Sequence, residues 1–374
     1  MISMWLGLDD TDYLDGGCTT LVFHELLNAL PCKYGTPRLT RLWPFASRRT
    51  RGNASLSVEL FTDEDTILPW LEEYWNEKIV PLAGKVSNSE HSNRKQYPSD
   101  PGMTLFAQQP DENYYWKAVR GEVTFYQGGY QWGGIGRIGA AASCAWREHS
   151  TTWEGIAWRE GERGVDKDVL AQVDGIEGTF LCRDPRTKRG LISPRGNCPI
   201  MFGVRATSFD VASHATNLLI DGSKPTIGSR VFVTNQASGD HIEGTEIDTV
   251  LDKEVMPGGH VLINKKYLAF SESGELNKIC QWLLPGDRFE CIGLSYENKI
   301  HLEGLQILDS TQKSRPICSC GTRMKSMGRS QGARCPACKA VNTEGWEFKK
   351  RKIPIQGWVQ PAPDKRRHLA KLLL

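Results

Sequence analysis

No apolar run in this sequence of 374 residues reaches the roughly 18 residues that a membrane-spanning helix requires. The first residues also lack the basic segment that precedes the apolar core of a secretion signal. Hydrophobic residues make up 39% and charged residues 24%, as in ordinary globular proteins. These features predict a cytoplasmic protein without a membrane partner, and the length predicts about two to four domains.

The cysteines are also unevenly distributed along the chain. Seven of the eleven cysteines are scattered singly, which without a secretion signal is typical of small buried side chains rather than disulfides. The other four form the pairs Cys318-x-Cys320 and Cys335-x-x-Cys338. Two close pairs of thiolates suit a tetrahedral Zn²⁺, and because all four ligands come from the protein, the predicted site is structural rather than catalytic.

The net charge of +2 hides a strong asymmetry. Residues 313–374 contain 15 Lys or Arg against 3 Asp or Glu, whereas residues 1–312 contain 31 against 41. A basic end on an acidic body is typical of nucleic-acid contact, and a solvated charge run is the alternative. The predicted RNA contacts are Arg323, Lys325, Arg329, Arg334, Arg366, Arg367 and His368.

The stretch most indicative of chemistry lies near the beginning of the chain. Residues 3–8 form a short apolar run typical of a buried strand, and the spacing of apolar residues over 18–30 predicts a helix. Between and at the start of these elements stand four carboxylates, two glycines and two threonines: Asp9, Asp10, Asp12, Asp15, Gly16, Gly17, Thr19 and Thr20.

Such a junction predicts a site for Mg²⁺ and phosphate. Carboxylates can hold the cation, the helix amides can hold the phosphate, and a hydroxyl lies where a phosphoryl group would arrive. The alternative is a purely structural turn, in which Asp and Thr are common. Four carboxylates within seven residues repel one another, which favours the cation site.

A basic loop at residues 48–53 precedes a predicted strand at 54–61. Arginine forks bind phosphate oxygens in pairs, so Arg49 and Arg51, with Asn53 in the turn, are candidate phosphate ligands. An ordinary surface hairpin is the alternative.

Residues 133–142 contain a G-x-G-x-x-G pattern at Gly134, Gly136 and Gly139. The preceding residues 126–132 are rich in glycine and aromatics rather than apolar, so the pattern is weak evidence for a dinucleotide fold. A closely packed helix of small residues, or a second backbone approach to phosphate, is favoured.

Residues 153–234 alternate in the order strand, helix, strand, strand, helix, strand, which predicts a ferredoxin-like unit. The short strands of this prediction include residues 191–192. Between 242 and 308 no helical period persists, and recurrent short apolar runs predict a small OB-like barrel, with another kind of β-barrel as the alternative.

Several motifs together resemble the archaeal tRNA(Ile2) 2-agmatinylcytidine synthetases. They are GLDDTDYLDGGCTT at 7–20, RTRGN at 49–53, IGAAAS at 138–143, WEGIAWR at 153–159, TNQASGDH at 234–241, the four cysteines, and PAPDKRRHLAK at 361–371. They occur in order over nearly the whole chain. One departure is at 235–240. This segment corresponds to the family's Asn-Gln-Gly-Thr-Asp, but here it is one residue longer and its glycine lies at a different position.

The resemblance implies an ATP-dependent ligase that attaches agmatine to C2 of the wobble cytidine of an isoleucine tRNA. The family's acidic motif falls on Asp9, Asp10 and Asp12, which would bind Mg²⁺ and ATP, and its phosphoryl-accepting threonine falls on Thr19. Gly16, Gly17 and Thr20 would cradle phosphate. For agmatine, whose guanidinium needs a carboxylate or carbonyls, the candidates are Asn235, Gln236 and Asp240.

The expected architecture is a multidomain α/β and α+β protein. Its predicted parts are a kinase-like ATP-binding domain at 1–149, a ferredoxin-like domain at 150–241, an OB-fold at 242–312, a zinc ribbon at 313–346 and a basic tail at 347–374. We expect a monomer that contacts the anticodon region. Two other classes stay open: a single-strand-binding protein built on an OB-fold and zinc ribbon, and another Mg²⁺-dependent phosphoryl or nucleotidyl enzyme acting on RNA.

Overall fold

The chain divides into two compact units in a computed structural model that describes residues 3–13, 16–49, 53–87, 95–194, 196–328, 331–344 and 346–373. The first unit is Met1–His241 with Arg367–Leu372, and the second is Ile242–Arg366 with Leu373–Leu374. Within the described ranges, no helix has both the length and the apolar character needed to cross a membrane.

Within its described residues, the first unit combines ten strands with six α-helices. The strands are β1 (Ser3–Asp9), β2 (Lys33–Tyr34), β3 (Arg38–Arg41), β4 (Ala54–Phe61), β5 (Gly102–Phe106), β6 (Tyr130–Gly133), β7 (Thr152–Trp158), β8 (Thr179–Phe180), β9 (Ile200–Ala206) and β10 (Gly228–Thr234). The helices are α1 (Thr19–Ala29), α2 (Glu64–Tyr74), α3 (Glu112–Arg120), α4 (Gly136–Ala145), α5 (Lys167–Asp174) and α6 (Phe209–Asp221). A π-helical stretch, Trp75–Ile79, and a 3-10 turn, Val80–Leu82, follow α2.

All ten strands belong to one sheet. Its order is β6-β5-β1-β4-β3-β10-β7-β9-β8, with β2 beside β4. The parallel pairing of β3 with β10, where Leu39 lies opposite Thr234, joins the strands before residue 150 to those after it. The carboxyl ends of β3, β9 and β10 and the amino end of β7 therefore lie side by side near the middle of the sheet.

Successive residues of β1 face opposite sides of the sheet, and both sides of this strand are covered. Leu6 and Leu8 pack into the main core with Phe23 of α1 and Ile67 of α2. On the opposite face, Gly7 lies under α4, where an added Cβ would come within 2.4 Å of the Ala140 carbonyl oxygen. Helices thus cover both faces of the strand that leads into the acidic loop.

The second unit contains a six-stranded sheet, two smaller sheets and one helix within its described residues. The strands are β11 (Glu246–Thr249), β12 (Lys253–Val255), β13 (Val261–Ile263), β14 (Tyr267–Ala269), β15 (Arg288–Tyr296), β16 (Lys299–Asp309), β17 (Thr311–Ser314), β18 (Lys325–Ser326), β19 (Ala333–Arg334), β20 (Val341–Asn342) and β21 (Glu347–Lys350). The large sheet has the order β11-β15-β16-β14-β13-β12. The helix is α7 (Glu275–Trp282), and Ser271–Ser273 and Pro363–Lys365 form 3-10 turns.

Two local predictions are wrong. A helix, α7, interrupts the segment in which no helical period is apparent, and it buries Leu276, Ile279 and Cys280 against the large sheet. Residues 191–192 do not form a strand. They are held instead by loop hydrogen bonds, from the Leu191 amide to the Cys182 carbonyl and from the Gly203 amide to the Ile192 carbonyl.

Candidate active site

The acidic loop begins where β1 ends. Asp9 accepts two hydrogen bonds, from the Asp10 amide at 2.7 Å and from the Ser55 hydroxyl on β4 at 2.7 Å. Asp10 has a left-handed backbone with φ of 58° and accepts from the Asp100 amide at 3.1 Å. These contacts fix two carboxylates at the end of a buried strand, as the sequence predicts, whereas Asp15 lies outside the described residues.

Burial and mutual repulsion make the ionised form of these carboxylates unfavourable. Desolvation raises the pKa of Asp9 to about 7, although the hydrogen bonds from Ser55 and Asp10 oppose this effect. Desolvation and then the neighbouring Asp9 and Asp12 raise the pKa of Asp10 to about 8. A bound cation would remove this cost, so the electrostatics of the loop suit a divalent ion.

The beginning of α1 faces the same loop. Cys18 at the N-cap makes no capping hydrogen bond through its side chain, and the first turn contains no acidic residue, so within the described chain no carboxylate of α1 neutralises this positive helix end. Thr19 is buried and its hydroxyl donates to Asp12 at 3.4 Å. Gly17 has φ of 66° and lies over the loop, where a Cβ would come within 3.0 Å of the Thr11 carbonyl oxygen.

Other predicted phosphate ligands contact the protein itself. The Thr20 hydroxyl accepts from the Trp158 indole at 3.1 Å and contacts the Cys18 sulfur at 2.9 Å. The Gly16 amide donates to the Tyr13 carbonyl at 3.3 Å.

Two described residues of the basic loop donate to backbone carbonyls that precede the loop. Arg49 donates to the Ala46 carbonyl at 2.7 Å, and the Asn53 side chain donates to the Trp43 carbonyl at 2.8 Å. Arg51 lies outside the described residues. Phosphate binding by Arg49, Arg51 and Asn53 stays a prediction.

Part of the glycine-rich run forms the closely packed helix α4, one of the two interpretations that the sequence favours. The Gly136 amide donates to the Asp100 carbonyl, and a Cβ at Gly136 would come within 2.6 Å of the Asp9 carbonyl oxygen. A Cβ at Gly139 would lie 1.8 Å from the Asp9 carboxylate and 2.3 Å from the Ser55 hydroxyl. The glycines therefore let α4 approach the acidic loop.

The residues predicted to bind agmatine follow β10 and differ in exposure. Asn235 is fully buried, and its side chain accepts from the Arg41 amide at 2.7 Å and donates to the Arg41 carbonyl at 2.9 Å. Gln236 is also buried, whereas Asp240 is half-buried and accepts from the Tyr115 hydroxyl at 2.5 Å. Asn235 thus fixes the end of β3.

A largely buried polar cluster consists of Arg41, Glu154, Arg205 and Gln236 and is absent from the sequence-based prediction. Glu154 on β7, only 4% exposed, lies 3.4 Å from the Arg41 guanidinium and 4.0 Å from that of Arg205. Gln236 donates to Glu154 and accepts from Arg205 at 3.0 Å. Desolvation lowers the pKa of Arg41, which Glu154 opposes. Glu154 lies within the WEGIAWR motif, the one signal that could have drawn attention to it.

The three basic residues near the end of the chain make different contacts. Arg366 donates to the Pro361 carbonyl at 2.8 Å within the second unit, and the Arg367 guanidinium lies 5.1 Å from the Phe45 ring centre within the first. The His368 ring lies beside Gln236, with Nδ1 and Oε1 separated by 3.1 Å. RNA contact by these three residues stays a prediction.

The first helix is tied to the sheet by a histidine that should remain neutral. His24 accepts from Arg230 at 3.0 Å, and burial followed by the Arg230 charge lowers its pKa to about 4. The folded form therefore loses stability as the pH falls from 6.5 towards 4, because the unfolded chain binds the proton more readily. We expect protonation of His24 to lower the free energy of unfolding by about 1 to 2 kcal/mol, a figure that allows for the partial exposure of the ring. His24→Gln should reduce the loss in urea unfolding between pH 7.5 and 4.5; the exposed His149→Gln serves as control, and an equal loss in all three proteins would contradict the assignment.

The four clustered cysteines converge as the sequence predicts. Their Sγ atoms all lie within 4.8 Å of one another, with Cys318 and Cys338 at 3.3 Å and Cys320 and Cys335 at 3.5 Å. A tetrahedral Zn²⁺ with about 2.3 Å bonds requires similar sulfur separations, so the residues fit the ion. Arg323, Lys325 and Arg334 are exposed around this cluster, and Arg329 lies outside the described residues.

Loss of one thiolate should release the metal. In Cys335→Ser we expect bound zinc to fall from one ion per chain to almost none, because three ligands close the tetrahedron poorly and the small sheets have little other core. Metal analysis after dialysis measures this. The half-buried Cys32→Ser is the control, and full zinc retention by Cys335→Ser would exclude the four-thiolate site.

These features define a multidomain α/β protein with a carboxylate site suited to phosphate chemistry and a zinc ribbon. Family models match in the order of the chain: the TiaS TCKD domain at 5–128, the TiaS FLD domain at 134–241 and the TiaS C-terminal zinc ribbon domain at 315–353. Together the matches cover most of the sequence. The chain belongs to the TiaS family.

Relatives and solved structures agree over the full length. The tRNA(Ile2) 2-agmatinylcytidine synthetase TiaS of Archaeoglobus fulgidus is 27% identical, with 99% of this chain and 97% of the relative covered. That of Methanopyrus kandleri is 29% identical, with 98% and 96% covered. The crystal structure of a TiaS–tRNA(Ile2)–ATP complex matches with a TM-score of 0.79 at 25% identity, and apo TiaS with 0.75 at 26%, each covering 99% of this chain and 97% of the other.

Proposed function

We propose that this chain uses ATP to conjugate agmatine to C2 of the wobble cytidine of tRNA(Ile2). The observation that carries the proposal is the ordered match of three TiaS domain models over a chain whose acidic loop, polar cluster and ribbon lie inside the matched ranges. Curated relatives named for this synthesis align over nearly their whole length.

The acidic loop is the proposed ATP site. Asp9, Asp10 and Asp12 would hold Mg²⁺, since two of these carboxylates have raised pKa values that a cation would relieve. When bound, the ion neutralises charge on the phosphates. Gly17 and the start of α1 would hold phosphate oxygens, because the helix end is positive and a glycine allows close approach.

Thr19 is the proposed phosphoryl acceptor. Its hydroxyl donates to Asp12, and the residue stands in the first turn of α1. This hydrogen bond orients the oxygen towards the carboxylates. The Thr20 hydroxyl is held by Trp158, so of the two threonines Thr19 is better placed for transfer.

Activation of the base must precede the attack by the amine. The C2 oxygen of cytosine is a poor leaving group, and phosphorylating it lets it depart as phosphate. We therefore place a phosphorylated cytidine between ATP consumption and conjugation. The base must also leave the anticodon stack, at a cost of a few kcal/mol that contacts in the complex must offset.

For agmatine we retain Asp240 as the carboxylate that receives the guanidinium. It is the half-buried member of the predicted trio, and Tyr115 holds only one of its oxygens. Asn235 and Gln236 act as positioning residues in this proposal, because their side chains hydrogen-bond to Arg41 and Glu154.

The ribbon and its surroundings are proposed to bind the anticodon region of the tRNA. Exposed Arg323, Lys325 and Arg334 supply positive charge for phosphates. Trp346 and Phe348, 44% and 66% exposed, supply rings on which unpaired bases can stack.

We further assign the finer architecture from strand order. In β7–α5–β8–β9–α6–β10 the spatial order β10-β7-β9-β8 places the fourth strand beside the first, as in a ferredoxin-like unit. The six-stranded sheet of the second unit is proposed to be an OB-fold, and residues 1–149 a kinase-like domain.

Mass spectrometry of the tRNA is the decisive test. Purified protein is incubated with tRNA(Ile2) transcript, ATP, Mg²⁺ and agmatine, and the nucleosides are analysed after digestion. We expect a cytidine bearing agmatine with loss of water only when all components are present. ATP turnover with unmodified tRNA would exclude conjugation, and RNA binding without ATP turnover would leave a binding protein.

A further inference from the structure

The segment 367–372 supplies a histidine to the polar cluster of the first unit. The Ala237 amide donates to the His368 carbonyl at 2.8 Å, and the Gly239 amide donates to the Leu369 carbonyl at 2.9 Å. Leu369 is 1% exposed and packs in the cluster that contains Tyr115 and Trp146. Backbone and side-chain contacts therefore fix the position of the His368 ring.

The contacts of Gln236 determine which ring nitrogen of His368 carries the proton. Glu154 can only accept and Arg205 can only donate, so the Gln236 amide nitrogen must face Glu154 and its oxygen must face Arg205. That oxygen also faces His368 Nδ1 at 3.1 Å. Nδ1 must therefore be the donor, and in the neutral ring the lone pair lies on Nε2.

The charges around the ring favour the neutral form. The Arg41 guanidinium from β3, burial, and the Arg205 guanidinium from β9 lower the pKa of His368 well below its usual range. Glu154 from β7 is the acidic group of this cluster and is paired with both arginines. His368 as a residue is exposed, so the two guanidiniums dominate among these causes and burial contributes less. Among the described residues, Nε2 has no hydrogen-bond partner.

The cluster is close to the proposed phosphoryl site. On β3, Arg41 lies opposite Ala54 of β4, and the adjacent Ser55 donates to the Asp9 carboxylate. Asp12 of the same loop accepts from the Thr19 hydroxyl. An accessible imidazole acceptor thus lies in the same part of the first unit as the proposed phosphoryl acceptor.

We propose that His368 Nε2 accepts a hydrogen bond from the attacking amine of agmatine and so holds the amine lone pair towards C2 as the carbon–nitrogen bond forms. This role rests on the proposed function. The amine nitrogen bonds to C2 of the activated cytidine, the C2–O bond breaks, and its electron pair leaves with phosphate. One amine proton is taken up by the departing phosphate. Nearby guanidiniums also disfavour the protonated amine, which keeps the nucleophile reactive.

The test separates the two chemical steps. His368→Asn keeps a donor where Nδ1 stands and removes the Nε2 acceptor, whereas His368→Ala leaves space for added imidazole. The exposed His149→Asn is the control. Phosphoryl transfer from γ-labelled ATP is measured without agmatine, and conjugation is measured by single-turnover mass spectrometry of the tRNA with agmatine.

We expect His368→Asn to slow conjugation by about 100-fold or more while phosphoryl transfer stays within a few-fold of wild type. Imidazole should restore conjugation in His368→Ala. Conjugation at the wild-type rate in His368→Asn overturns the role of the imidazole, and so does an equal fall in both steps, which marks a structural residue. Failure of the wild-type protein to conjugate agmatine would instead refute the proposed function.

Discussion

Asp10→Asn is expected to abolish ATP-dependent modification of the tRNA, with a fall of about 100-fold or more. The residue directly follows the buried strand β1, takes a left-handed backbone and is held by the Asp100 amide. Asn has nearly the same shape and keeps an oxygen for that amide, but it lacks the charge that holds a cation. The rate of product formation measures the effect.

Asp10→Asn should lower activity while raising the stability of the metal-free protein. The Asp10 carboxyl has its folded pKa raised to about 8 by desolvation and its acidic neighbours, so metal-free wild-type protein loses stability as the pH rises from about 4 through 8. Metal-free Asp10→Asn should therefore unfold a few degrees higher at pH 8.5. Asp221→Asn, at the exposed end of α6, is the control. Wild-type turnover in Asp10→Asn would remove the ATP-site assignment.

Gly139→Ala is expected to be nearly as damaging, although the change adds one methyl group. The new Cβ would stand 1.8 Å from the Asp9 carboxylate, so either α4 or the carboxylate must move. Overpacking of this kind costs about 1 to 3 kcal/mol, and a shift of about 1 Å at a catalytic group can cost about 100-fold in rate. Thermal unfolding and product formation are both measured.

Gly121→Ala is the matched control, since a Cβ there meets nothing closer than the Lys117 carbonyl at 4.0 Å. Activity and unfolding temperature should both be unchanged in it. If Gly139→Ala kept full activity, the glycine pattern would have no part in shaping the acidic loop.

Local signals predict the elements around the acidic loop well. The apolar run and the helical spacing near the beginning of the chain give β1 and α1 to within two residues, because each element buries a regular face. Cysteine spacing likewise predicts the zinc cluster, since the ligands of each pair are neighbours in sequence. In α7, by contrast, eight residues are too few for a helical period to stand out among short strands.

The polar cluster could not be derived from such signals. Glu154 meets Arg41, which is 113 residues away in sequence. The contact exists only because β3 pairs with β10 and β10 with β7, a register that no local pattern encodes. His368 is a similar case, since its basic neighbours suggest an RNA contact while its backbone is bound to residues 237–239.

Assignment of residues 367–372 to the first unit sets an order for biosynthesis. A ribosome makes the sheet of that unit first, then the whole second unit, and only afterwards the residues that pair with Ala237 and Gly239. Until those residues emerge, the proposed hydrogen-bond acceptor for the amine of agmatine is absent and the apolar site for Leu369 is unfilled. A nascent chain that stalls in the ribbon would therefore contain the acidic loop but lack the segment that carries His368.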